Sequence, residues 1–248
     1  MILKIDSFEG IILSETNYSE SSKILNVLTD KYGLIGLISK GCRNMKSKLR
    51  GVSRKLIHGT FHVYYKEKGL STLIGVDVIH SFSNTMMDLE KISYASFILD
   101  LTSQVVKQSD ADEIFPLLRD ILIKLEEGLA PLPLTNILEI KLLEYLGAMP
   151  NIDSCSLCGS TKGIVTLSAD QGGYICRDCY QNEPLVSDKT IQMIRMYYYV
   201  DVSSITKLEV SDEVSREINH FLDDYYDRFT GLYLKSKDFI KKVNQLIS

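Results

Sequence analysis

The sequence predicts a multidomain α+β protein, in which a small β-barrel is followed by an all-helical domain. Short β-rich segments separated by turn residues fill residues 1–80, whereas apolar residues recur at helical spacing in residues 81–248. A module of four cysteines, at about residues 150–182, interrupts the helical part. We therefore expect an N-terminal barrel domain and a C-terminal helical domain that carries the inserted module.

Five short segments of the first domain have the composition of β-strands. Apolar side chains alternate with polar ones at Leu25 and Val27 and at Phe61 and Val63, which is typical of half-buried strands. The five segments are Ile11–Leu13, Lys23–Thr29, Leu34–Lys40, Thr60–Tyr65 and Ser71–Ile79. Five strands in about eighty residues predict a small closed barrel such as the OB-fold, whose surface commonly binds oligonucleotides.

Apolar residues at intervals of three and four predict helices in the second domain. These stripes lie within residues 86–99, 114–125, 134–146, 214–225 and 239–247. A shorter helix is expected at Thr190–Tyr199, with Ser187 or Asp188 as its N-cap. The stripes together predict a helical bundle with a common core, and the cysteine module is expected after the third helix.

Charge is distributed unevenly along the chain. The 248 residues have a net charge of −4. Residues 1–80 contain 12 Lys/Arg and 7 Asp/Glu, whereas residues 81–248 contain 16 and 25. A basic first third on an acidic remainder indicates a polyanion-binding module. The 45% apolar and 24% charged fractions are typical of globular proteins, and no apolar run is long enough to predict a membrane-spanning helix.

A basic segment, residues 40–55, connects the third and fourth predicted strands. Its seven cations, with no acidic residue among them, are Lys40, Arg43, Lys46, Lys48, Arg50, Arg54 and Lys55. Each cation that meets a phosphate releases condensed counterions, so the segment favours nucleic-acid binding without sequence preference. The alternatives are a merely solvated loop and a surface for acidic proteins or membranes. The nearby aromatic residues Phe61, His62, Tyr64 and Tyr65 offer faces for unpaired bases, although such residues more commonly pack in a core.

Two CxxC pairs, Cys155 with Cys158 and Cys176 with Cys179, are separated by 17 residues. This spacing is typical of a zinc site in which two turns bring four thiolates around one ion. Such a closed site is structural, because it leaves no position for water or substrate. Disulfides or a redox-active pair are the alternatives, but the N-terminus lacks an apolar signal segment, which favours a reducing cytosol and a metal. Cys42 lies outside this pattern and is expected to be incidental.

No catalytic motif stands out in the chain. The P-loop, GxSxG, HExxH and Rossmann patterns are all missing, and the four histidines are scattered. We therefore expect a protein that is not an enzyme. A zinc-ribbon RNA-binding or transcription factor stays open as the alternative. A zinc-dependent enzyme that processes nucleic acids is a further alternative, but the all-thiolate site argues against it.

Three stretches of the chain resemble the RecO family of bacterial DNA repair and recombination mediators. They are S-K-G-C-R-N-M-K-S-K-L-R-G, then Y-L-G-A-M-P-N-I-D-S-C-S-L-C-G followed by G-G-Y-I-C-R-D-C, and L-K-S-K-D-F-I near the C-terminus. The resemblance implies an N-terminal OB-fold and a helical domain with an embedded zinc finger. It assigns zinc to the four cysteines of the two CxxC pairs. It assigns DNA contacts to Lys40, Arg43, Lys46, Lys48 and Arg50.

The same resemblance carries functional expectations. It implies binding of single- and double-stranded DNA, annealing of complementary strands, and interaction with the C-terminal tail of single-stranded-DNA-binding protein. With the partner RecR, members of the family help to load RecA onto coated strands, so RecA is an indirect partner. We therefore expect a cytoplasmic, nucleoid-associated mediator with one structural Zn²⁺ per chain and no membrane association.

Overall fold

The computed structural model of the protein describes residues 4–109, 113–232, 236–237, 239–240 and 243. The first five strands are β1 Lys4–Tyr18, β2 Ser22–Thr29, β3 Gly33–Ser39, β4 His58–Tyr65 and β5 Ser71–His80. They form a closed barrel in the order β1-β2-β3-β5-β4, with β3 and β5 parallel and the other pairs antiparallel. The predicted five-stranded barrel is confirmed, and it agrees with an OB-fold.

The first strand is much longer than the predicted segment Ile11–Leu13. β1 pairs with β4 along Lys4–Ile11 and with β2 along Gly10–Tyr18, and its register shifts just after Ile12. Because one long strand serves both neighbours, polar residues at its two ends belong to the sheet. The sequence pattern identified only the buried middle of the strand, and the prediction of a three-residue strand was wrong.

Alternating side chains build the core of the barrel. Leu25 and Val27 of β2 and Phe61 and Val63 of β4 are fully buried, as their alternation predicts. The core is completed by Phe8, Ile12, Leu37, Ile57 and Leu73. Side chains fill the interior of this small barrel, so its binding surfaces lie on the outside.

Six α-helices with defined bounds follow within the described residues. They are α1 Ser83–Met87, α2 Leu89–Val105, α3 Ile114–Glu126, α4 Pro131–Tyr145, α5 Asp188–Tyr199 and α6 Asp212–Phe229. The first predicted helix is in fact two, because Asp88 has an extended backbone and its carboxylate accepts a hydrogen bond from Lys91 N at 3.0 Å. The cysteine module therefore follows the fourth helix, not the third as predicted.

The predictions for the later helices are mostly confirmed. Ser187 rather than Asp188 caps α5, because its hydroxyl accepts a hydrogen bond from Thr190 N at 3.2 Å. Of the last predicted helix, Phe239 and Ile240 have helical backbone, whereas Leu246 and Ile247 lie outside the described residues.

Helix α4 lies at the centre of the helical domain. Most of its apolar residues are buried, and so are the polar side chains of Asn136 and Glu139. The same buried cluster extends into the barrel and its connections through Ile11, Leu13, Leu28 and Leu56. The two parts of the chain therefore share an apolar interface. The helices that the structure describes are too short or too polar to span a lipid bilayer.

Candidate nucleic-acid interface and metal centre

The basic segment crosses from β3 to β4 as a series of turns held against the barrel. At its start, Arg43 N donates a hydrogen bond to Ser21 O at 2.8 Å. Ser39 and Ser53, which flank most of the segment, share a hydroxyl–hydroxyl hydrogen bond of 2.8 Å. Cys42, which lies between these two serines in the sequence, is 2% exposed, and its thiol packs as a small apolar group. The segment therefore follows a defined path along the barrel.

The first five cations of the basic segment are exposed to solvent. They are Lys40, Arg43, Lys46, Lys48 and Arg50. Within the described residues, neither these five nor Arg54 and Lys55 form an ion pair. The segment therefore presents positive charge that no carboxylate of the described protein neutralises, and such a surface attracts polyanions.

The last two cations of the segment have a different environment. The Arg54 guanidinium contacts Met86 Sδ of α1. Lys55 Nζ donates a hydrogen bond to Ser96 Oγ of α2 at 3.1 Å, and Lys55 N donates to Glu15 Oε2 at 2.9 Å. The contacts of Arg54 and Lys55 Nζ join the end of the basic segment to the helical domain, whereas Lys55 N binds to β1 of the barrel. The seven cations therefore do not form one uniform surface.

The four aromatic residues near the segment also have different environments. Phe61 is fully buried in the barrel core, and Tyr65 stacks on Tyr32 with ring centroids 4.3 Å apart. His62 lies between the Ser7 hydroxyl and the Asp77 carboxylate, at 2.8 Å from each. Tyr64 is 39% exposed, so it keeps an accessible ring face on β4.

The four cysteines of the two CxxC pairs converge in a module between α4 and α5. The module contains a two-stranded hairpin of β6, Ile164–Ser168, and β7, Gly173–Cys176. The four Sγ atoms lie within 4.8 Å of one another, and those of Cys158 and Cys176 are 3.6 Å apart. Zn–S bonds of about 2.3 Å place tetrahedral sulfurs about 3.8 Å apart. The cluster therefore has the size to hold one metal ion.

Local backbone geometry brings these thiols together. Gly159 N donates to Cys155 O at 2.9 Å and Cys179 N donates to Cys176 O at 3.1 Å, and these bonds close a turn at each CxxC pair. Gly159 has a φ of 75°, a conformation that glycine adopts readily. Cys176 N also donates to Cys155 Sγ at 3.4 Å. Each CxxC spacing is therefore the length of one tight turn, and the hairpin brings the two turns together.

The pKa values of the thiols indicate how readily the cluster can carry negative charge. Burial raises the pKa of Cys155, but N–H donors from the backbone, with that of Cys176 the strongest, outweigh burial and lower this pKa to about 6. Hydrogen bonds to the neighbouring Cys158 and Cys176 sulfurs raise the pKa of Cys179 to about 12. Four close thiols thus resist full ionisation. A divalent cation between the sulfurs would offset this repulsion, so the donor set fits a metal ion.

Sequence reasoning missed how the cysteine module attaches to the helical domain. Asp153 accepts hydrogen bonds from Arg195 Nε at 2.7 Å and from the Tyr199 hydroxyl at 3.0 Å, both on α5. Gly173 pairs with Asn151, and a Cβ on this glycine would collide with the Asn151 backbone. The signal in the sequence was the adjacent Gly172-Gly173 pair, which predicts only a tight turn.

Comparison with known proteins gives one consistent family. A model described as "Recombination protein O N terminal" matches residues 2–82, and one described as "Recombination protein O C terminal" matches residues 86–238. Proteins named DNA repair protein RecO are similar along nearly their whole length. The protein of Bacillus pumilus is 32% identical over 242 residues, covering 96% of this chain and 94% of the relative. That of Listeria monocytogenes serotype 4a is 30% identical over 245 residues, covering 97% and 96%.

The two matched regions follow the order of the barrel and the helical domain. The first ends shortly after β5, and the second begins within α1 and spans the cysteine module. The chain therefore belongs to the RecO family of DNA repair proteins.

Proposed function

We propose that this chain is a non-enzymatic mediator of DNA repair and homologous recombination. It binds single- and double-stranded DNA, anneals complementary strands and, with RecR, helps to load RecA onto DNA coated by single-stranded-DNA-binding protein. The observation that carries the proposal is the exposed, unneutralised charge of the basic segment in a member of the RecO family. The proposed DNA contacts are Lys40, Arg43, Lys46, Lys48, Arg50, Arg54 and Lys55.

The physical basis of the proposal is phosphate recognition. Cations on a defined path along the barrel replace condensed counterions of a nucleic-acid backbone, which supplies affinity without reading sequence. The same charge lowers the repulsion between two strands and raises their local concentration. Annealing then needs no ATP, because base pairing supplies the free energy. The contacts of Arg54 and Lys55 with α1 and α2 extend the proposed track towards the helical domain.

We propose that the four cysteines hold one structural Zn²⁺. The sulfur distances fit a tetrahedral site, and an all-thiolate tetrahedral set is typical of zinc or iron–sulfur centres. Four protein ligands leave no open position, so the ion stabilises the module and takes no part in a reaction. Cys155 and Cys176 are the buried members of the set, and Cys158 is the exposed one.

The proposed partners follow from family membership. They are single- and double-stranded DNA, RecR, the C-terminal tail of single-stranded-DNA-binding protein, and RecA indirectly. On this proposal the helical domain recruits the protein partners while the barrel holds DNA. The protein then acts at the nucleoid, in the cytoplasm.

The test is annealing of two complementary labelled DNA strands coated with single-stranded-DNA-binding protein, without ATP. Wild type is compared with a variant in which Lys46, Lys48 and Arg50 are replaced by alanine. We expect rapid annealing by wild type and a loss of most of the rate in the variant, because three phosphate contacts are removed. The control variant replaces three exposed lysines of the helical domain, Lys107, Lys189 and Lys207.

The control carries the same change in net charge and should anneal like wild type. If both triple variants anneal normally, the proposed DNA site is in the wrong place. If folded, metal-loaded wild type does not anneal, the mediator function is wrong. A preference of that protein for RNA strands would then support an RNA-binding or transcription factor.

A further inference from the structure

One apolar side chain of the basic segment points to a contact that phosphate binding does not explain. Met45 is 85% exposed, although the segment as a whole is held against the barrel. Ser47 N donates a hydrogen bond to Asn44 O at 3.1 Å, which makes Met45 and Lys46 the two central residues of a turn. A thioether and an ammonium group therefore stand side by side at an outward corner of the segment.

Two other apolar residues of the segment, Cys42 and Leu49, are turned towards the protein. Cys42 is 2% exposed, and Leu49 packs against the core of the barrel. Leu56, directly after the segment, is fully buried in the core shared with the helices. The segment thus has an apolar inner side that anchors it, and Met45 does not contribute to that side. Its exposure is not required by the packing of the barrel.

The neighbours of Met45 determine what it can meet. Arg43, Lys46 and Lys48 are exposed within three residues of it, and residues 40–55 contain no acid. When these cations contact phosphates, a side chain between them lies close to the sugars and bases of the same nucleotides, since consecutive Cα atoms are only about 3.8 Å apart. An unpaired base offers a flat apolar face, and thioether sulfur makes favourable contacts with aromatic rings.

We propose that Met45 packs against unpaired bases of a bound single strand while the neighbouring cations hold its phosphates. This inference rests on the proposed function and extends it from the backbone to the bases. Apolar side chains of this kind, methionine included, are known to pack against or between bases at other protein–nucleic acid interfaces. Met45 would favour single strands over duplexes, because the base faces of a duplex are already stacked on one another. The cations contact only phosphates, which both forms of DNA present.

The experiment compares binding to a thymidine strand of about 20 nucleotides with binding to an abasic strand of the same length, at several salt concentrations. We expect wild type to bind the base-bearing strand about fivefold more tightly. Met45→Gln, which keeps the length but not the apolar character, should lose most of this preference. Its affinity for the abasic strand and its salt slope should match wild type, because the cations are intact.

Two further variants isolate the effect. Met45→Leu keeps an apolar side chain and should keep the preference. Met87→Gln changes another methionine, 89% exposed but on α1 outside the basic segment, and should behave as wild type. If wild type prefers the base-bearing strand and Met45→Gln keeps that preference, the inference is wrong while the proposed function stands. If wild type binds neither strand, the proposed function fails and the inference fails with it.

Discussion

The basic segment and the cysteine module are both irregular stretches held by regular elements, yet they handle polar groups in opposite ways. In the module, the four Sγ atoms converge to within 4.8 Å of one another, and backbone amides donate to Cys155. In the basic segment, the first five cations are exposed and none of the seven is ion-paired within the described residues. The thiols of the module converge on one point, whereas the cations of the basic segment face solvent.

The two kinds of site depend on shape to different degrees. A tetrahedral metal site needs four sulfurs at fixed separations, so small changes in the backbone of the module should be costly. A polyanion surface needs only charges of one sign near a flexible partner, so individual changes in the basic segment should have small, roughly additive effects. Substitutions in the module should therefore cost more stability than substitutions in the basic segment.

Cys155→Ser should have the largest effect. It removes a buried thiolate that several backbone amides support, and it should lower the free energy of unfolding by about 3 kcal/mol or more, with lower soluble yield and less bound metal. Thermal unfolding together with metal analysis of the purified protein measures both quantities. Cys42→Ser is the matched control, because Cys42 is also buried but lies outside the cluster, and it should keep the metal. Full thermal stability of Cys155→Ser without metal would contradict the structural role.

Gly173→Ala tests the shape of the module directly. Gly173 has a φ of 146°, and a Cβ there would collide with the backbone of Asn151, so we expect a loss of roughly 2–4 kcal/mol in chemical unfolding. Gly51→Ala in the basic segment is the matched control. A Cβ on Gly51 meets no atom within 4 Å, so its change should stay within about 1 kcal/mol. Equal losses in the two variants would remove the contrast between the two regions.

A third charged group, the carboxylate of Glu139, is buried in the core of the helical domain. Burial raises its pKa from 4.5 to about 7, opposed by Lys237 Nζ at 3.8 Å from Oε1. Between pH 4.5 and pH 7 the folded state therefore binds more protons than the unfolded state, and stability falls as pH rises through this window. Glu139→Gln should lack this loss, which we expect to be on the order of 2 kcal/mol.

Urea unfolding at pH 5 and pH 8 measures the effect of Glu139→Gln. The free energy of unfolding of the variant, relative to that of wild type, should be higher at pH 8 than at pH 5. The same pH dependence in both proteins would mean that Glu139 is not the group responsible. A pH-dependent stability that disappears in Glu139→Gln would assign this dependence to the buried carboxylate and not to the exposed cations of the basic segment.

Lys48→Ala should have the smallest effect. Removing one phosphate contact should lower the slope of log K against log salt by about 0.7 for single-stranded DNA, without altering folding. Lys107→Ala, an exposed lysine on the helical domain, is the matched control and should leave the slope unchanged. Binding titrations at several salt concentrations measure the slope. A slope that Lys48→Ala leaves unaltered would remove this residue from the proposed interface.

Part of the fold could be predicted from the sequence, because turns, strands and helices depend on residues that are close together in the chain. The two CxxC pairs predict two tight turns, and the alternation at Phe61 and Val63 predicts a strand that buries both side chains. The stripes at helical spacing predict most of the helices. Patterns failed where an element is polar or where one residue breaks it. The ends of β1 are polar, and Asp88 divides a continuous apolar stripe into α1 and α2.

The class of fold, the family, the set of cysteines and the charge of the basic segment all follow from the amino-acid sequence, because composition and spacing carry these directly. Which groups face solvent and which groups contact one another depends on how the whole chain packs. The tertiary structure supplies this information. It directed Arg54 and Lys55 towards the helices, placed Gly173 against Asn151, and left Met45 exposed beside Lys46. These relations depend on contacts between residues far apart in the chain or on exposure after packing. Neither leaves a periodic signal in the order of the residues.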